Sequence, residues 1–205
     1  MGLKLLYSVL KGLLTPVLKG YNKLTVTYQG EILDNGAYVL VVNHLSYLDP
    51  IYISVAFPRK LHFMAKQEAF KYPIIKWILP KLGAFPVNRE KADIKAIKNS
   101  ISILKSGKVL AIFPEGTRND HLQLDEIKNG AAYLALKTGV PIIPAFIKGT
   151  DEVMPKGQWL IKPKKVTILF GSPIQTSSEH RDIKIEEVTE MIRTSMSDLS
   201  KSILK

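Results

Sequence analysis

Residues 37–50 read AYVLVVNHLSYLDP, and this stretch decides the fold. Positions 37–42 are almost wholly apolar, with no alternation of polar and apolar side chains. Such a short run suits a strand covered on both faces, as in a parallel sheet packed between helices. Polarity returns abruptly at Asn43, and Asp49 followed by Pro50 offers a helix start: a capping carboxylate, then proline at the first helical position.

The same alternation extends in both directions. Residues 24–28 (LTVTY), 61–65 (LHFMA), 108–113 (KVLAIF), 141–147 (PIIPAFI) and 166–170 (VTILF) read as further strands. Ile94, Ile97, Ile101 and Leu104 mark an amphipathic helix that stops near Gly107. Ile127, Ala131, Leu134 and Ala135 mark another, ending near Gly139, and Ile185, Val188, Ile192, Leu199 and Ile203 mark a closing helix. The expected class is α/β: a mostly parallel central sheet flanked by helices, with an amphipathic N-terminal helix. The chain divides into an N-terminal segment, 1–20, and one domain, 21–205.

Composition narrows the function classes. The 205 residues are 46% hydrophobic and 23% charged, a balance that folds rather than stays disordered. With no cysteine, disulfides, thiolate metal sites and a cysteine nucleophile are excluded, and a reducing compartment is suited. The net charge of +11 attracts polyanions: nucleic acid, anionic lipid, acidic proteins or phosphorylated substrates. No nucleic-acid motif accompanies the charge. The longest run free of Asp, Glu, Lys and Arg is 35–48, and it contains Asn43 and His44, so no simple spanning helix is expected. The N-terminal apolar stretch lacks a small-residue cleavage site, which argues against export.

Within 2–19, Lys4, Ser8, Lys11, Thr15 and Lys19 form one polar stripe at helical spacing, and leucines and valines cover the rest. Two uses fit: a helix lying in a membrane interface, or a terminal helix packed on the core. Pro16 predicts a break or kink near its end.

The residues with chemical promise follow strands, where α/β proteins place their sites. His44 leaves the strand of residues 37–42 as a candidate base, given a carboxylate that holds one ring nitrogen as N–H. A turn that folds Asp49 back onto His44 would supply that carboxylate. Ser46 invites a serine-hydrolase reading, but the Gly-x-Ser-x-Gly elbow is missing, and a backbone-bonding turn serine fits better. Two glycine- and proline-bearing turns follow at 83–89 (GAFPVNR) and 113–118 (FPEGTR). Arg89 and Arg118 suit either phosphate oxygens or open solvent. Glu115 either orients an arginine or is an ordinary turn carboxylate.

Taken in order, these groups resemble the glycerolipid acyltransferases, a family that includes the 1-acylglycerol-3-phosphate (lysophosphatidate) acyltransferases. Residues 43–49, with His44 and Asp49 in a His-x4-Asp core, resemble the first motif. GAFPVNR resembles the second, FPEGTR the third, and VPIIPA at 140–145 the fourth. The likeness runs from about Tyr21 to Pro173. Two positions depart from the pattern: Asn88 stands where many relatives carry Asp, and Ile127 replaces a frequent aromatic residue before Lys128 and Gly130. Both bear on substrate detail more than on reaction type.

The resemblance implies transfer of a fatty acyl group from a thioester to the free hydroxyl of 1-acylglycerol 3-phosphate, giving phosphatidic acid. It assigns His44 as base and Asp49 as its partner, with direct attack and no acyl-enzyme. It implies that Lys66, Arg89, Glu115, Gly116, Thr117 and Arg118 bind or orient the acceptor. No metal and no bound cofactor are expected, and the acyl donor is a thioester of acyl carrier protein or coenzyme A. The implied partners are membrane phospholipids and lysophosphatidate, not nucleic acid, with the protein peripheral on the cytoplasmic face of the cell membrane.

Under that reading the N-terminal helix is the membrane dock, through Lys4, Leu6, Leu10, Lys11 and Leu14. Deleting 2–19 is then expected to abolish vesicle binding and spare the fold. Residues 70–81 (FKYPIIKWILPK) form either a second membrane surface through Trp77 or a core helix with snorkelling lysines. Related readings are acylation of glycerol 3-phosphate, another lysophospholipid or a lyso-ornithine lipid, and a non-catalytic membrane-binding protein of the same fold.

Overall fold

The apolar run quoted above becomes β2 (Tyr38–Val42), and all five of its residues are buried. The computed structural model describes residues 2–32, 35–88, 93–116, 127–176 and 183–204, without the side chains at 2–4, 6, 74, 75, 78 and 204. β2 is the middle of seven strands, ordered β1-β7-β6-β2-β5-β3-β4. It pairs in parallel with β5 (Val109–Ile112) on one side and β6 (Ile142–Lys148) on the other, Val39 lying opposite Leu110 and Ile142. Beyond β5 come β3 (Leu61–Lys66) and β4 (Ala84–Val87), both parallel. Beyond β6 lies β7 (Thr167–Phe170), the one antiparallel junction, and then β1 (Thr25–Tyr28), parallel to β7. The sheet is therefore mostly parallel, as the sequence implies.

β4 falls inside the glycine- and proline-bearing stretch read above as a turn. Four residues long and containing Pro86, it sits at the sheet edge, where a missing ladder donor is tolerated.

Alternate β2 residues face opposite cores. Leu40 and Val42 join Tyr52 and Ile53 of α2 (Asp49–Ala56), Leu18 of α1 (Gly2–Tyr21), and Ile143 and Phe170 of the sheet. Val39 and Val41 join Ile103 and Leu104 of α4 (Ile94–Lys105) and Leu134 of α5 (Gly130–Thr138), with Val188 and Ile192 of α7 (Ile185–Leu204). Burying each such side chain contributes roughly 1.5–3 kcal/mol, so the two cores hold the strand ends in fixed register. Two short helices complete the set: α3 (Pro73–Ile78) after a 3-10 turn at Gln67–Lys71, and α6 (Thr150–Val153) after β6.

The N-terminal segment packs on the core along one side and leaves an apolar row exposed along the other. α1 runs on through Pro16 to Tyr21 without the predicted break. One side lies on α2: Tyr7 Oη donates to the Ser54 carbonyl at 3.3 Å, Lys11 Nζ donates to the Phe57 carbonyl, and Leu14 and Leu18 join the core. Leu5, Val9, Leu13 and Val17, spaced four apart, are exposed. Leu10, Lys11 and Leu14 are half-buried against the protein, and burial pushes the Lys11 ammonium down from its ordinary value. Deleting the segment strips the core, so it does not isolate a membrane effect. The side chains of Lys4 and Leu6 lie outside the described residues.

In the stretch 70–81, Tyr72 and Trp77 are exposed, with Lys81 over the Trp77 ring. No helix among the described residues is long and apolar enough to cross a membrane.

Candidate active site

The site begins where β2 stops. Asn43 is buried, and its carboxamide clasps the neighbouring strand: Nδ2 donates to the Ile147 carbonyl at 2.9 Å, and Oδ1 accepts the Ile147 N–H at 2.7 Å. This satisfies two main-chain groups at the end of β6 and fixes where the next residue emerges.

That residue is His44. Its Nδ1 lies 2.8 Å from Asp49 Oδ2, and the same oxygen accepts the N–H groups of Leu45 at 2.7 Å and Ser46 at 2.8 Å. Thr150 Oγ1 donates to the other oxygen, Oδ1. The Asp49 carboxylate is thus fully buried with four polar contacts, the condition under which a buried charge is tolerated. An ionised carboxylate has no proton to give, so in this pairing Nδ1 is the donor and Nε2 is the ring nitrogen turned away from Asp49. Nothing among the described residues bonds Nε2.

The turn corrects one expectation. Asp49 is the first residue of α2 rather than its cap, which is Leu48, and no side chain caps the helix. The carboxylate faces back into the turn, taking N–H groups that precede the helix.

Glu115 comes from the turn after β5. Its Oε2 accepts the His44 backbone N–H at 3.0 Å, tying the first motif to the third. Burial pushes its carboxyl up to about 8; hydrogen bonds from the main chain of His44 and Glu115 oppose this, and the Asp49 charge adds a further upward push. At neutral pH Glu115 is therefore mostly protonated and able to donate. The imidazole stacks on Phe113 from the same turn, ring centroids 4.2 Å apart and planes 25° apart. Two glycines permit these turns. At Gly116, φ +72°, a Cβ would stand 3.2 Å from Lys128 Nζ, so that ammonium lies against the motif. At Gly149, φ +94°, a Cβ would stand 2.1 Å from the Lys165 carbonyl oxygen, and this tight turn delivers Thr150.

His44, Asp49, Glu115 and Gly116 are thus gathered at the C-terminal edge of the sheet. Lys66 ends β3 on that edge, two strands from β2 and so about 10 Å away, half-exposed with Glu68 Oε2 3.7 Å from its ammonium. Arg89, Thr117 and Arg118 lie outside the described residues. Trp77, on α3, is not part of this cluster. Ser46 is a turn serine: its Oγ accepts the Leu48 N–H and donates to the Met154 carbonyl, both at 3.4 Å. A cavity of about 810 Å³, lined by Phe70, Lys71, Phe85 and Lys95 among others, lies toward the β4 edge and includes none of His44, Asp49 or Glu115.

Sequence reasoning missed Thr150, Lys128 and the clasp by Asn43. Thr150 had a usable signal: like His44, it follows a buried strand directly.

Fold and site define a class, an α/β protein whose buried His–Asp pair stands at the C-terminal edge of a mostly parallel sheet. The acyltransferase family model matches residues 23–148, and the chain belongs to the acyltransferase family. It is 34% identical over 199 residues to the 1-acyl-sn-glycerol-3-phosphate acyltransferase of Streptococcus pneumoniae (strain ATCC BAA-255 / R6), covering 94% of this chain and 72% of that one. It is 32% identical over 165 residues to the chloroplastic 1-acyl-sn-glycerol-3-phosphate acyltransferase BAT2 of Brassica napus, covering 79% of this chain and 47% of that protein. The chain thus spans about half the length of that plant relative. Among solved structures, the 1-acyl-sn-glycerophosphate (LPA) acyltransferase PlsC of Thermotoga maritima is similar, with a TM-score of 0.73 at 26% identity, covering 99% of this chain and 82% of that one.

Proposed function

We propose that this acyltransferase moves a fatty acyl group from an acyl thioester to the free hydroxyl of a 1-acylglycerol 3-phosphate, giving phosphatidic acid. The observation that carries the reading is the His44–Asp49 contact at the end of β2, which engages Nδ1 and leaves Nε2 for the acceptor hydroxyl. His44 Nε2 takes the hydroxyl proton as the acceptor oxygen attacks the thioester carbonyl. The tetrahedral intermediate then collapses, the C–S bond breaks, and the thiolate leaves. Asp49 holds the tautomer and offsets the charge of the imidazolium that forms. A positioned base of this kind contributes about 10²–10⁴-fold. A thiol ionises near pKa ~8.5, so the leaving group needs little acid assistance.

Glu115, in its protonated form, donates a hydrogen bond that orients the acceptor or steadies the oxyanion, and it keeps its proton throughout. The acceptor phosphate is held by Arg118 first, then by Lys66 and Arg89, and Lys128 joins them because it lies against Gly116. Gly116 and Thr117 belong to the same proposed acceptor site. Attack is direct. The lack of cysteine supports this, as does the engagement of Ser46 Oγ with the main chain. The donor is acyl carrier protein or coenzyme A thioester, and no metal or bound cofactor takes part.

The protein works as a peripheral protein on the cytoplasmic face of the cell membrane, docked through the exposed row Leu5, Val9, Leu13 and Val17. The test follows labelled acyl groups from each thioester into phosphatidic acid, for wild type and Arg118→Ala. The variant is expected to raise the acceptor KM at least about tenfold, since each lost charged contact to a phosphate costs about 1.5–3 kcal/mol, and to leave the thioester KM nearly alone. Equal effects on both, or no phosphatidic acid, contradict the reading.

A further inference from the structure

Residues 154–165 read MPKGQWLIKPKK, with four lysines and no acidic residue. At the centre of this loop Trp159 is 87% exposed, Leu160 73% and Ile161 46%. Three consecutive large apolar side chains turned to water, on a basic loop, mark a contact surface rather than chance exposure.

The loop is tied down. Tyr21 Oη donates to the Ile161 carbonyl at 3.1 Å, and Asn22 Nδ2 donates to the carbonyls of Lys162 at 2.9 Å and Lys164 at 3.2 Å. Asn22 Oδ1 in turn accepts the Tyr52 hydroxyl of α2 at 2.7 Å. The Lys162 N–H closes the loop onto the Val153 carbonyl at 2.8 Å. Its tip is therefore fixed beside the C-terminal end of α1, where the outward row Leu5, Val9, Leu13 and Val17 finishes. Its first residue, Met154, accepts the Ser46 hydroxyl from within the turn that carries His44. One set of hydrogen bonds thus links the apolar tip to the catalytic turn.

We propose that Trp159, Leu160 and Ile161 form a second membrane-inserting element, seated in the headgroup region of an anionic phospholipid surface alongside α1. This rests on the reading of α1 as the membrane dock. Indole rings settle at the headgroup level, where an apolar body and an N–H are both accommodated. Lys156, Lys162, Lys164 and Lys165 supply the charge that such a leaflet attracts. A lipid surface takes up the apolar tip and the surrounding lysines together, and it continues the contact made by the α1 row. The row alone allows the body to roll about the helix axis. A second contact at the helix end fixes the tilt, and through Met154 and Ser46 it fixes the height of His44 above the acceptor.

The test uses the full chain carrying Trp77→Phe, which leaves Trp159 as its single tryptophan. Vesicles of phosphatidylglycerol and phosphatidylcholine are titrated in, and emission is followed with and without brominated acyl chains. The expected result is a blue shift with quenching by bromine. In the wild-type background, Trp159→Ser with Leu160→Ser is expected to raise the half-binding lipid concentration about tenfold or more while the thermal midpoint stays unchanged. Vesicle binding with unaltered Trp159 emission overturns the proposal and leaves the α1 dock standing. No vesicle binding at all removes the α1 reading and the proposal with it. A Trp159 shift on adding acidic acyl carrier protein, with none on vesicles, makes the tip a protein dock and likewise overturns it.

Discussion

Thr150 Oγ1 donates to Asp49 Oδ1 across 101 positions of sequence, while Asp49 Oδ2 takes His44 Nδ1 and the N–H groups of Leu45 and Ser46. The sheet makes this possible: β6 pairs directly with β2, and the tight turn at Gly149 folds the chain back at the strand end. Both oxygens of the carboxylate are engaged, so the side chain cannot rotate and the imidazole plane is set.

Replacing Thr150 with valine keeps the shape and removes the donor. Leaving one oxygen of a buried carboxylate short of a partner costs roughly 1–3 kcal/mol, equivalent to about five- to a hundred-and-fiftyfold. Thr150→Val is expected to lower kcat by about that factor, with KM for donor and acceptor nearly unchanged and Thr150→Ser restoring most of the loss. That pattern would mark Thr150 as a positioning residue acting through Asp49. A lower thermal midpoint with normal kcat would make it a structural bond only.

Glu115 gives a pH signature. Its folded value of about 8 lies above the ordinary 4.5, so the fold favours the protonated form. Its contribution to stability is complete below about pH 4.5 and is lost as the pH rises toward about 8. Glu115→Gln is expected to flatten the fall in thermal midpoint over that window, by comparison of melting curves at several pH values. As the donor in its protonated form, Glu115 also imposes a decline in kcat near pH 8 that the glutamine variant lacks. Parallel stability and rate profiles for the two proteins count against both roles.

The two sides of α1 let packing and the proposed docking be tested separately. Leu14 packs on the core, and Leu13 points outward. Leu14→Ala is expected to destabilise the fold by about 1–3 kcal/mol, read by denaturant titration. Leu13→Glu is expected to leave the midpoint unchanged and to weaken cosedimentation with anionic vesicles at least about tenfold. Undiminished cosedimentation of Leu13→Glu removes the outward row from the dock.

The fold was largely legible because β2 is continuously apolar and its neighbours repeat that signal. β4 was not: four residues with a proline at an edge carry no period. The His44–Asp49 pair was legible because both residues sit in one turn. The place of Thr150 after a buried strand was visible too, but its bond to Asp49 was not, since strand pairing creates it and no local pattern encodes that. α1 showed its amphipathic character, but not which side meets the protein. Its lysine stripe does not face one way: Lys11 turns inward, where the Phe57 carbonyl at the end of α2 offers it a partner.

The most direct measurement is acceptor-dependent thiol release from acyl thioesters, with lysophosphatidate in mixed micelles, by wild type and by His44→Ala. A general base bonded to a buried carboxylate is expected to account for about 10²–10⁴-fold of the rate. The expected result is thiol release that requires lysophosphatidate and falls by at least about a hundredfold in His44→Ala, with no acyl group retained on the protein. Release at the wild-type rate in the variant, release without acceptor, or an acyl group trapped on Ser46 would contradict direct transfer with His44 as the base.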